Sequence, residues 1–349
     1  MEHGHDRAGP SRGGCRTVAL SGPARATDRP GPDRPRRAPP GDRPADRRRR
    51  TGGSAPMTGP FSLPEQHPPS EPGPKRGRKP APISETAGVT HRAWLEPVRS
   101  TLFASGLTLN DLVDRSGYSK TRISELLRGN GYYPAWEITF SVVRALGLPV
   151  QPTRRLWTAA AREAHKEPNW IHHCIQQVLL EPEAQPIAHQ GFSEAMRAPY
   201  AEYARAFLLT DHRARWVVSE TFDILWLCWT DAANSPDIRR YAWRLLRSRV
   251  MARVDRHRDG HPDLRAAAFS ATGAQNADPE TGFTGLSDLI NLFDAIARLP
   301  HREMDVTVLR YLCGMNPDTI PDILGLTPAI AHAIDHHARA ALESMLHRS

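Results

Sequence analysis

Residues 119–128 bring together side chains that can hydrogen-bond to nucleic acid. Basic and hydroxyl side chains donate to phosphate oxygens and to the edges of bases, and this stretch holds several of each. Ile123 and Leu127 are spaced i, i+4, so on a helix they turn inward and leave the polar residues outward near its start. The candidate contacts are Ser119, Lys120, Thr121, Arg122, Ser124 and Arg128. We expect Lys120, Thr121, Arg122 and Ser124 to reach base edges, and Arg128 with Arg115 to hold phosphates.

A sharp turn must hold this helix against a shorter helix that precedes it. Thr108 can cap the earlier helix, and Asp111 three residues on completes a capping box. Gly117 supplies the positive φ that the turn needs, and Ser119 can cap the second helix. The residues turned inward on the first helix are Leu109, Leu112 and Val113. This arrangement predicts a helix-turn-helix whose second helix enters the major groove of DNA.

Further helices are predicted on both sides of this turn. The apolar residues that indicate them are Leu95, Val98 and Leu102, then Trp136, Phe140 and Val143, then Leu156, Trp157, Ala160 and Ala164. The run Leu-Asn-Asp-Leu-Val-Asp-Arg-Ser-Gly-Tyr-Ser-Lys-Thr-Arg-Ile-Ser-Glu-Leu-Leu-Arg-Gly, from Leu109 to Gly129, resembles the Xre/Cro family, and the resemblance spans His91 to Lys166. It implies a five-helix domain over residues 89–167 that binds double-stranded DNA, often as a homodimer, although no heptad repeat enforces dimerisation. An ordinary helical bundle with a similar turn is the alternative.

Charge is distributed unevenly along the 349 residues. Residues 1–80 hold sixteen of the 32 prolines, and fifteen Arg and two Lys against eight acidic residues, a net charge of +9. Residues 91–166 carry eleven basic residues against six acidic ones, a net charge of +5, whereas residues 167–349 carry eighteen against twenty-three, a net of −5. A positive module suits DNA, and a slightly acidic body suits a protein partner.

The first 88 residues are predicted to be a disordered tail, because Pro, Gly and Arg dominate and apolar residues are few. Two basic runs, Arg47–Arg50 and Lys75–Lys79, can hold phosphate non-specifically or can simply be solvated. Translation from Met57 is a further alternative, since the residue bias before it looks like translated upstream sequence. Residues 168–192 are interpreted as a linker with one brief helix.

A helical, aromatic and Arg-rich segment is predicted over residues 193–260. The run Ala-Arg-Trp-Val-Val-Ser-Glu-Thr-Phe at 214–222, with Leu225 and Trp226 and then Tyr-Ala-Trp-Arg at 241–244, resembles the second region of extracytoplasmic-function sigma factors, the specificity subunits of RNA polymerase. The resemblance implies polymerase-facing residues at Glu220, Thr221 and Phe222, and promoter-melting residues at Tyr241, Trp243, Arg244 and Arg247. Cations would hold the phosphates of separated strands, and rings would stack on their bases. Trp216 departs from the family, which usually has an acidic residue there. The alternative is an aromatic core with an Arg-rich solvated face.

After a second predicted linker at residues 261–285, residues 286–349 form the last predicted domain. Ala297–Arg302, Leu309–Leu312 and Ile323–Pro328, followed by Ala338, Arg339 and Leu342, resemble the fourth region of sigma factors, in which a second helix-turn-helix reads DNA. The matching site positions are Thr327, His332, His336 and Arg339. Two departures weaken this surface: histidines and Asp335 stand where cations are expected, and Pro321 interrupts the preceding helix unless that helix starts later. His332 and His336, spaced i, i+4, are a weak alternative metal pair.

Together these segments predict an all-α protein with a disordered tail, a five-helix helix-turn-helix domain and two small helical domains. The favoured function is a DNA-binding transcription regulator that selects a site through the first helix-turn-helix and engages RNA polymerase core through its sigma-like body. A working sigma factor and a protein-interaction adaptor are the alternatives. No enzyme motif, metal motif or cofactor motif is present, so no cofactor is expected. The four scattered cysteines and the absence of an apolar spanning run favour a cytoplasmic protein without membrane contact.

Overall fold

The structure, a computed structural model, describes residues 81–179, 181–264, 267 and 279–347. Within these residues the fold is all-helical, as predicted, and the only strand-like pairing is one isolated bridge between Arg256 and Pro262. Most of the tail predicted for residues 1–88 lies outside the described residues.

The first group of helices builds the predicted helix-turn-helix region. Its members are α1 (Val89–Ser105), α2 (Leu109–Ser116), α3 (Lys120–Arg128), α4 (Trp136–Ala145), α5 (Val150–Glu163) and α6 (Pro168–Gln176). Pro168 occupies the first turn of α6, where a missing N–H costs nothing and the fixed φ favours a helix. Helix α6 lies inside the stretch interpreted as a linker, because Ile171 and Cys174 are buried against the preceding helices.

The second group of helices begins before the predicted boundary at residue 193. Its members are α7 (Ile187–Leu208), α8 (Asp211–Leu227), α9 (Trp229–Ala233), α10 (Ile238–Met251), α11 (Pro279–Ala297), α12 (His301–Thr307), a π-helical turn (Val308–Leu312), α13 (Ile320–Leu324) and α14 (Pro328–Leu346). Pro321 lies in the first turn of α13, so this short helix starts late enough to avoid the predicted loss of a hydrogen bond.

One hydrophobic core lies within the first group. Trp94, Trp136 and Trp157 are fully buried there, and the rings of Trp136 and Trp157 are 5.5 Å apart. Aromatic side chains of this size bury much apolar area and so dominate the energy of a small core. Ile224 and Leu227 of α8 also belong to this core, so the helix-turn-helix region is packed directly against the body that follows it.

The second core contains residues from both predicted sigma-like domains. Its buried members come from α7, α8 and α10 and also from α11 to α14. The two segments therefore share one core, whereas the sequence predicts two separate domains. The buried carboxylate of Asp305 on α12 explains the union, because it accepts hydrogen bonds from Tyr203 Oη (2.7 Å), Trp243 Nε1 (3.2 Å) and Arg247 Nε (2.9 Å).

A close backbone approach also joins α10 to the turn after α13. Gly325 has a φ of +65°, and a Cβ added to it would lie 2.4 Å from the backbone nitrogen of Arg240. Only glycine accepts both the left-handed backbone and the missing space.

We therefore expect Gly325→Ala to lower the free energy of unfolding by about 2–5 kcal/mol, since backbone strain and overpacking add. Urea unfolding of the whole chain measures this loss. Gly314→Ala is the matched control: Gly314 has a φ of +64° but nothing within 4 Å of an added Cβ, so only the strain of about 1–2 kcal/mol remains. Equal losses in the two variants would contradict the close approach.

Candidate nucleic-acid interface

The turn between α2 and α3 has the predicted capping geometry. The backbone nitrogen of Thr108 donates to Asp111 Oδ2 at 2.6 Å, and the nitrogen of Asp111 donates back to Thr108 Oγ1 at 3.3 Å. The hydrogen bonds that the Asp111 carboxylate accepts from the backbone nitrogen of Thr108 and, at 2.7 Å, from Thr108 Oγ1 lower its pKa. Gly117 adopts the left-handed conformation with a φ of 74°, as predicted. The turn thus fixes the angle at which α3 leaves α2.

Helix α3 presents the predicted residues to solvent. Ser119 caps it by accepting from the backbone nitrogen of Arg122, and Ile123 and Leu127 are buried. Side chains 119–122 and Arg128 are exposed, and Ser124 is half-buried. The structure therefore brings the six predicted contact residues together along one short helix, with the polar first turn outward.

The three cations of α3 are not neutralised by acidic side chains within the described residues. Lys120, Arg122 and Arg128 form no ion pair there, and Arg122 lies 5.9 Å from the ring of Tyr118. Arg115, predicted to hold phosphate, is exposed and donates a long hydrogen bond of 3.5 Å to the carbonyl of Ala145. An exposed cluster of unpaired cations can bind phosphate and base acceptors.

The C-terminal end of α3 is held by a feature that sequence reasoning missed. Arg99 is a buried cation on α1 that donates to the carbonyl of Leu127 and, at 2.7 Å, to the carbonyl of Ala81. Burial lowers the pKa of its guanidinium. The nitrogen of Ser84 donates to the carbonyl of Arg128 at 2.8 Å. Residues 81–87, predicted as the end of a disordered tail, are therefore bound across the end of α3.

Two further side chains beyond α3, the exposed Tyr132 and the half-buried Lys166, were not predicted. Tyr132 is 95% exposed, and Lys166 lies with its ammonium 6.0 Å from the Tyr132 ring and 5.5 Å from that of Trp170. The Asn130-Gly131 pair was the signal in the sequence for Tyr132, because such a pair marks a turn, and the side chain that follows this turn projects into solvent. A ring and a cation here add to the surface that a duplex could contact.

His91 lies beside this end of α3 and stacks on Trp94 with ring centroids 5.1 Å apart. A Cβ added to Gly129 would lie 3.5 Å from His91 Cε1. Burial, with a smaller contribution from the charge of Arg92, lowers the pKa of His91 to about 4. The folded protein therefore holds His91 neutral at pH values where the unfolded chain protonates it.

We expect the free energy of unfolding to fall as the pH drops from about 6.5 to about 4, by up to about 3 kcal/mol from this residue. The sign follows because the unfolded chain binds the proton first. Denaturation at several pH values, compared between the wild type and His91→Gln, isolates this contribution. A pH dependence that is identical in both proteins would contradict it.

The structure encloses most of the residues predicted for promoter melting. Trp243 is only 5% exposed and donates to Asp305 within the second core. Arg247 forms an ion pair with Asp305, and Tyr241 is half-buried, while Arg244 alone of the four is exposed. A ring enclosed in a core cannot stack on a splayed base. The sequence does not indicate that these aromatic residues are buried, because their polar partners lie far from them in the sequence.

The predicted polymerase-facing residues are also buried. Glu220 is 3% exposed, and its carboxylate accepts from Arg249 Nε at 2.7 Å and from Arg253 Nη2 at 2.6 Å. Burial raises the pKa of this carboxyl, and the two guanidinium groups oppose that rise. Thr221 and Phe222 are buried as well. All three side chains therefore lie inside the fold.

The basic helix α10 is therefore largely neutralised within the protein. Five of the eight arginines from Arg239 to Arg258 bind carboxylates or backbone carbonyls: Arg239 to Asp322, Arg247 to Asp305, Arg249 and Arg253 to Glu220, and Arg256 to the carbonyls of Gly260 and Met251. Helix α10 therefore fits neither of the two interpretations made from the sequence, a promoter-melting surface or an Arg-rich solvated face.

Arg249 and Arg253 also reach α1. Arg249 donates to the carbonyl of Val89 at 2.7 Å, and Arg253 donates to Thr90 Oγ1 at 3.3 Å. The ring of Trp216, 37% exposed, lies 4.7 Å from the Arg253 guanidinium. The Glu220 cluster thus fixes α1 against α8 and α10.

The second helix-turn-helix has the predicted capping but a weak surface. Thr327 caps α14 by accepting from the nitrogen of Ile330. The remaining predicted positions, His332, His336 and Arg339, are exposed. Asp335 is buried and pairs with Arg310, so its charge has a partner inside the protein. In the described part of the chain, no three His, Cys, Asp or Glu side chains are grouped to hold a metal ion.

Comparison of the chain with protein-family models, with curated proteins and with solved structures finds no match. Among the described residues, every helix is too short or too polar to cross a lipid bilayer.

Proposed function

We propose that this protein is a DNA-binding transcription regulator that selects a site on double-stranded DNA through α3. The observation that carries the proposal is the exposed first turn of α3, whose cations have no acidic partner among the described residues. Lys120 and Arg122 would contact base edges, and Arg128 would hold a phosphate. The way α3 is held also supports this role. Thr108 caps α2 and Ser119 caps α3, and Arg99 donates a hydrogen bond to the carbonyl of Leu127 at the C-terminal end of α3.

Charge supports the same conclusion. The net charge of +5 on residues 91–166 attracts a duplex over long range and adds affinity that weakens with salt. Base contacts then supply the discrimination, with each bidentate pair worth about 1–3 kcal/mol.

Selection of duplexes from a randomised pool by the whole chain tests the proposal. We expect one sequence to be enriched, and a two-fold symmetric site with half-sites about one helical turn apart would indicate a homodimer. A pool that stays random after several rounds would contradict DNA selection and favour the adaptor.

We also propose that the body from α7 to α14 engages RNA polymerase core. Its support is the order of the two sigma-like segments along the chain. The burial of Trp243 and Glu220 counts against a working sigma factor, since those surfaces are occupied. Purified core polymerase with promoter DNA separates the two: initiation that depends on this protein would favour the sigma factor, and polymerase binding without initiation would favour the regulator.

A further inference from the structure

A cavity of about 950 Å³ lies among the second group of helices. Its walls come mainly from α7, α11, α14 and the π-helical turn, so both sigma-like segments contribute to it. Most of the lining side chains are apolar, among them Leu292, Phe293 and Ile296 of α11 and Leu342 of α14. A cavity of this size and composition is typical of a site for a small organic molecule.

Exposed apolar side chains form part of the wall of this cavity. Leu209 at the end of α7, Tyr311 of the π-helical turn and Leu346 of α14 are exposed to solvent and line the cavity. A ligand that covers them removes apolar surface from water, which favours an apolar ligand. Leu209 also has a φ of +66°, which is uncommon for a residue other than glycine. Backbone strain of this kind is frequent at ligand sites.

One buried polar group beside the cavity lacks a hydrogen-bond partner. Thr307, the last residue of α12, lines the cavity and is 1% exposed. Its hydroxyl oxygen makes no hydrogen bond with any described residue. A buried hydroxyl without a partner is unfavourable, and an oxygen atom of a ligand would satisfy it. Thr307 therefore favours a ligand that carries a carbonyl or hydroxyl oxygen.

The charged side chains of the wall nearly cancel one another. Arg205 pairs with both Glu202 and Asp211, while Arg339 and Glu343 lie one turn apart on α14 and are exposed to water. Two arginines against three carboxylates leave a net charge of −1, so the wall offers an anionic ligand no net attraction. Each carboxylate is paired or solvated, so none of them requires a cationic ligand.

We propose that this cavity binds an uncharged, largely apolar molecule whose carbonyl or hydroxyl oxygen pairs with the Thr307 hydroxyl. The leucines and Phe293 cover the apolar body of the molecule. Because both sigma-like segments line the cavity, the bound molecule stabilises the core that they share. The site does not depend on the reading of DNA by α3, so its failure would leave the proposed function as it stands.

Prodan, an uncharged naphthalene that carries a ketone oxygen, is the probe for this site. Its emission shifts to shorter wavelength in apolar surroundings, so titration with the whole chain reports its entry into the cavity. We expect a saturable shift with a sub-millimolar dissociation constant. A change that does not saturate would overturn the site. Tighter binding of anilinonaphthalene sulfonate, an anion with a similar aromatic body, would overturn the assignment to an uncharged ligand.

A pair of double variants locates the bound probe. In the filled variant, Ala206→Trp on α7 is combined with Leu342→Trp on α14, and both positions line the cavity. In the control, Ala198→Trp is combined with Ala340→Trp, at exposed positions of the same two helices. The filled variant should bind Prodan at least about ten-fold more weakly, because added bulk competes with the ligand for space, and the control should match the wild type. Equal affinities in the two double variants would overturn the site, and circular dichroism checks both folds.

Thr307→Val tests the hydrogen bond and keeps the shape of the side chain, so it does not depend on the folding of the filled variant. Its affinity for Prodan should fall about 2- to 12-fold, the range for one hydrogen bond. Its affinity for dimethylaminonaphthalene, which lacks the ketone, should equal that of the wild type. An unchanged affinity for Prodan, or an equal loss for the two probes, would overturn the pairing with Thr307.

Discussion

Replacing Lys120 and Arg122 together by Ala should reduce affinity for the selected duplex by about 30-fold to 10⁴-fold. The range follows from two base contacts of about 1–3 kcal/mol each. Both side chains are exposed and make no ion pair with described residues, so the fold should be unaffected. Fluorescence anisotropy with the selected duplex measures the loss, and circular dichroism checks the fold.

The control for this variant removes two cations from the body. Arg215→Ala with Arg258→Ala makes the same charge change at exposed positions outside residues 89–167. It should change affinity only slightly, through the general attraction of the protein for DNA. The interpretation of α3 as the reading helix fails if both double variants lose affinity equally, because the effect would then depend on net charge alone.

Asp305→Ala should lower the free energy of unfolding by about 3–5 kcal/mol, the range for removing one partner of a buried ion pair. The carboxylate is the shared acceptor for the Tyr203 hydroxyl, the Trp243 indole and the Arg247 guanidinium. Its removal leaves two buried donors and one half-buried donor without their acceptor. Urea denaturation of the whole chain gives the value.

Asp322→Ala provides the comparison for that measurement. Asp322 pairs with Arg239, but both side chains are largely exposed, so the loss should stay below about 1 kcal/mol. A destabilisation by Asp305→Ala as small as that of Asp322→Ala would mean that the two sigma-like segments do not share the core described here.

The features that the sequence predicted well are those encoded by neighbouring residues. The capping box of Thr108 and Asp111, the turn at Gly117 and the inward pair Ile123 and Leu127 each involve residues within a few positions of one another. Local backbone chemistry determines these features. The all-helical fold and the exposed first turn of α3 follow from the same short-range patterns.

The features that the sequence did not predict depend on distant pairs. Glu220 is a polar residue on a helix, and its buried position becomes evident only when Arg249 and Arg253 are seen to satisfy it. Trp243 and Asp305 lie 62 residues apart. Resemblance to sigma factors marked such residues as surface contacts, whereas in this chain they join helices to one another.

The attachment of residues 81–87 to α1 and to the end of α3 was not predicted, for a related reason. Composition placed these residues in the tail, and no periodic pattern marked them as packed. Their order comes from Arg92 and Arg99, two side chains on α1 that donate to carbonyls before that helix. A single arginine in an amphipathic helix gives no sign of such a role.

The ratio of two dissociation constants tests the central claim most directly. The whole chain is titrated against its selected duplex and against a scrambled duplex of equal length and composition, at one fixed salt concentration. Reading of bases by α3 predicts binding at least about 10³-fold tighter to the selected duplex. A ratio near one would contradict it, because the cations of α3 would then bind DNA through phosphates alone.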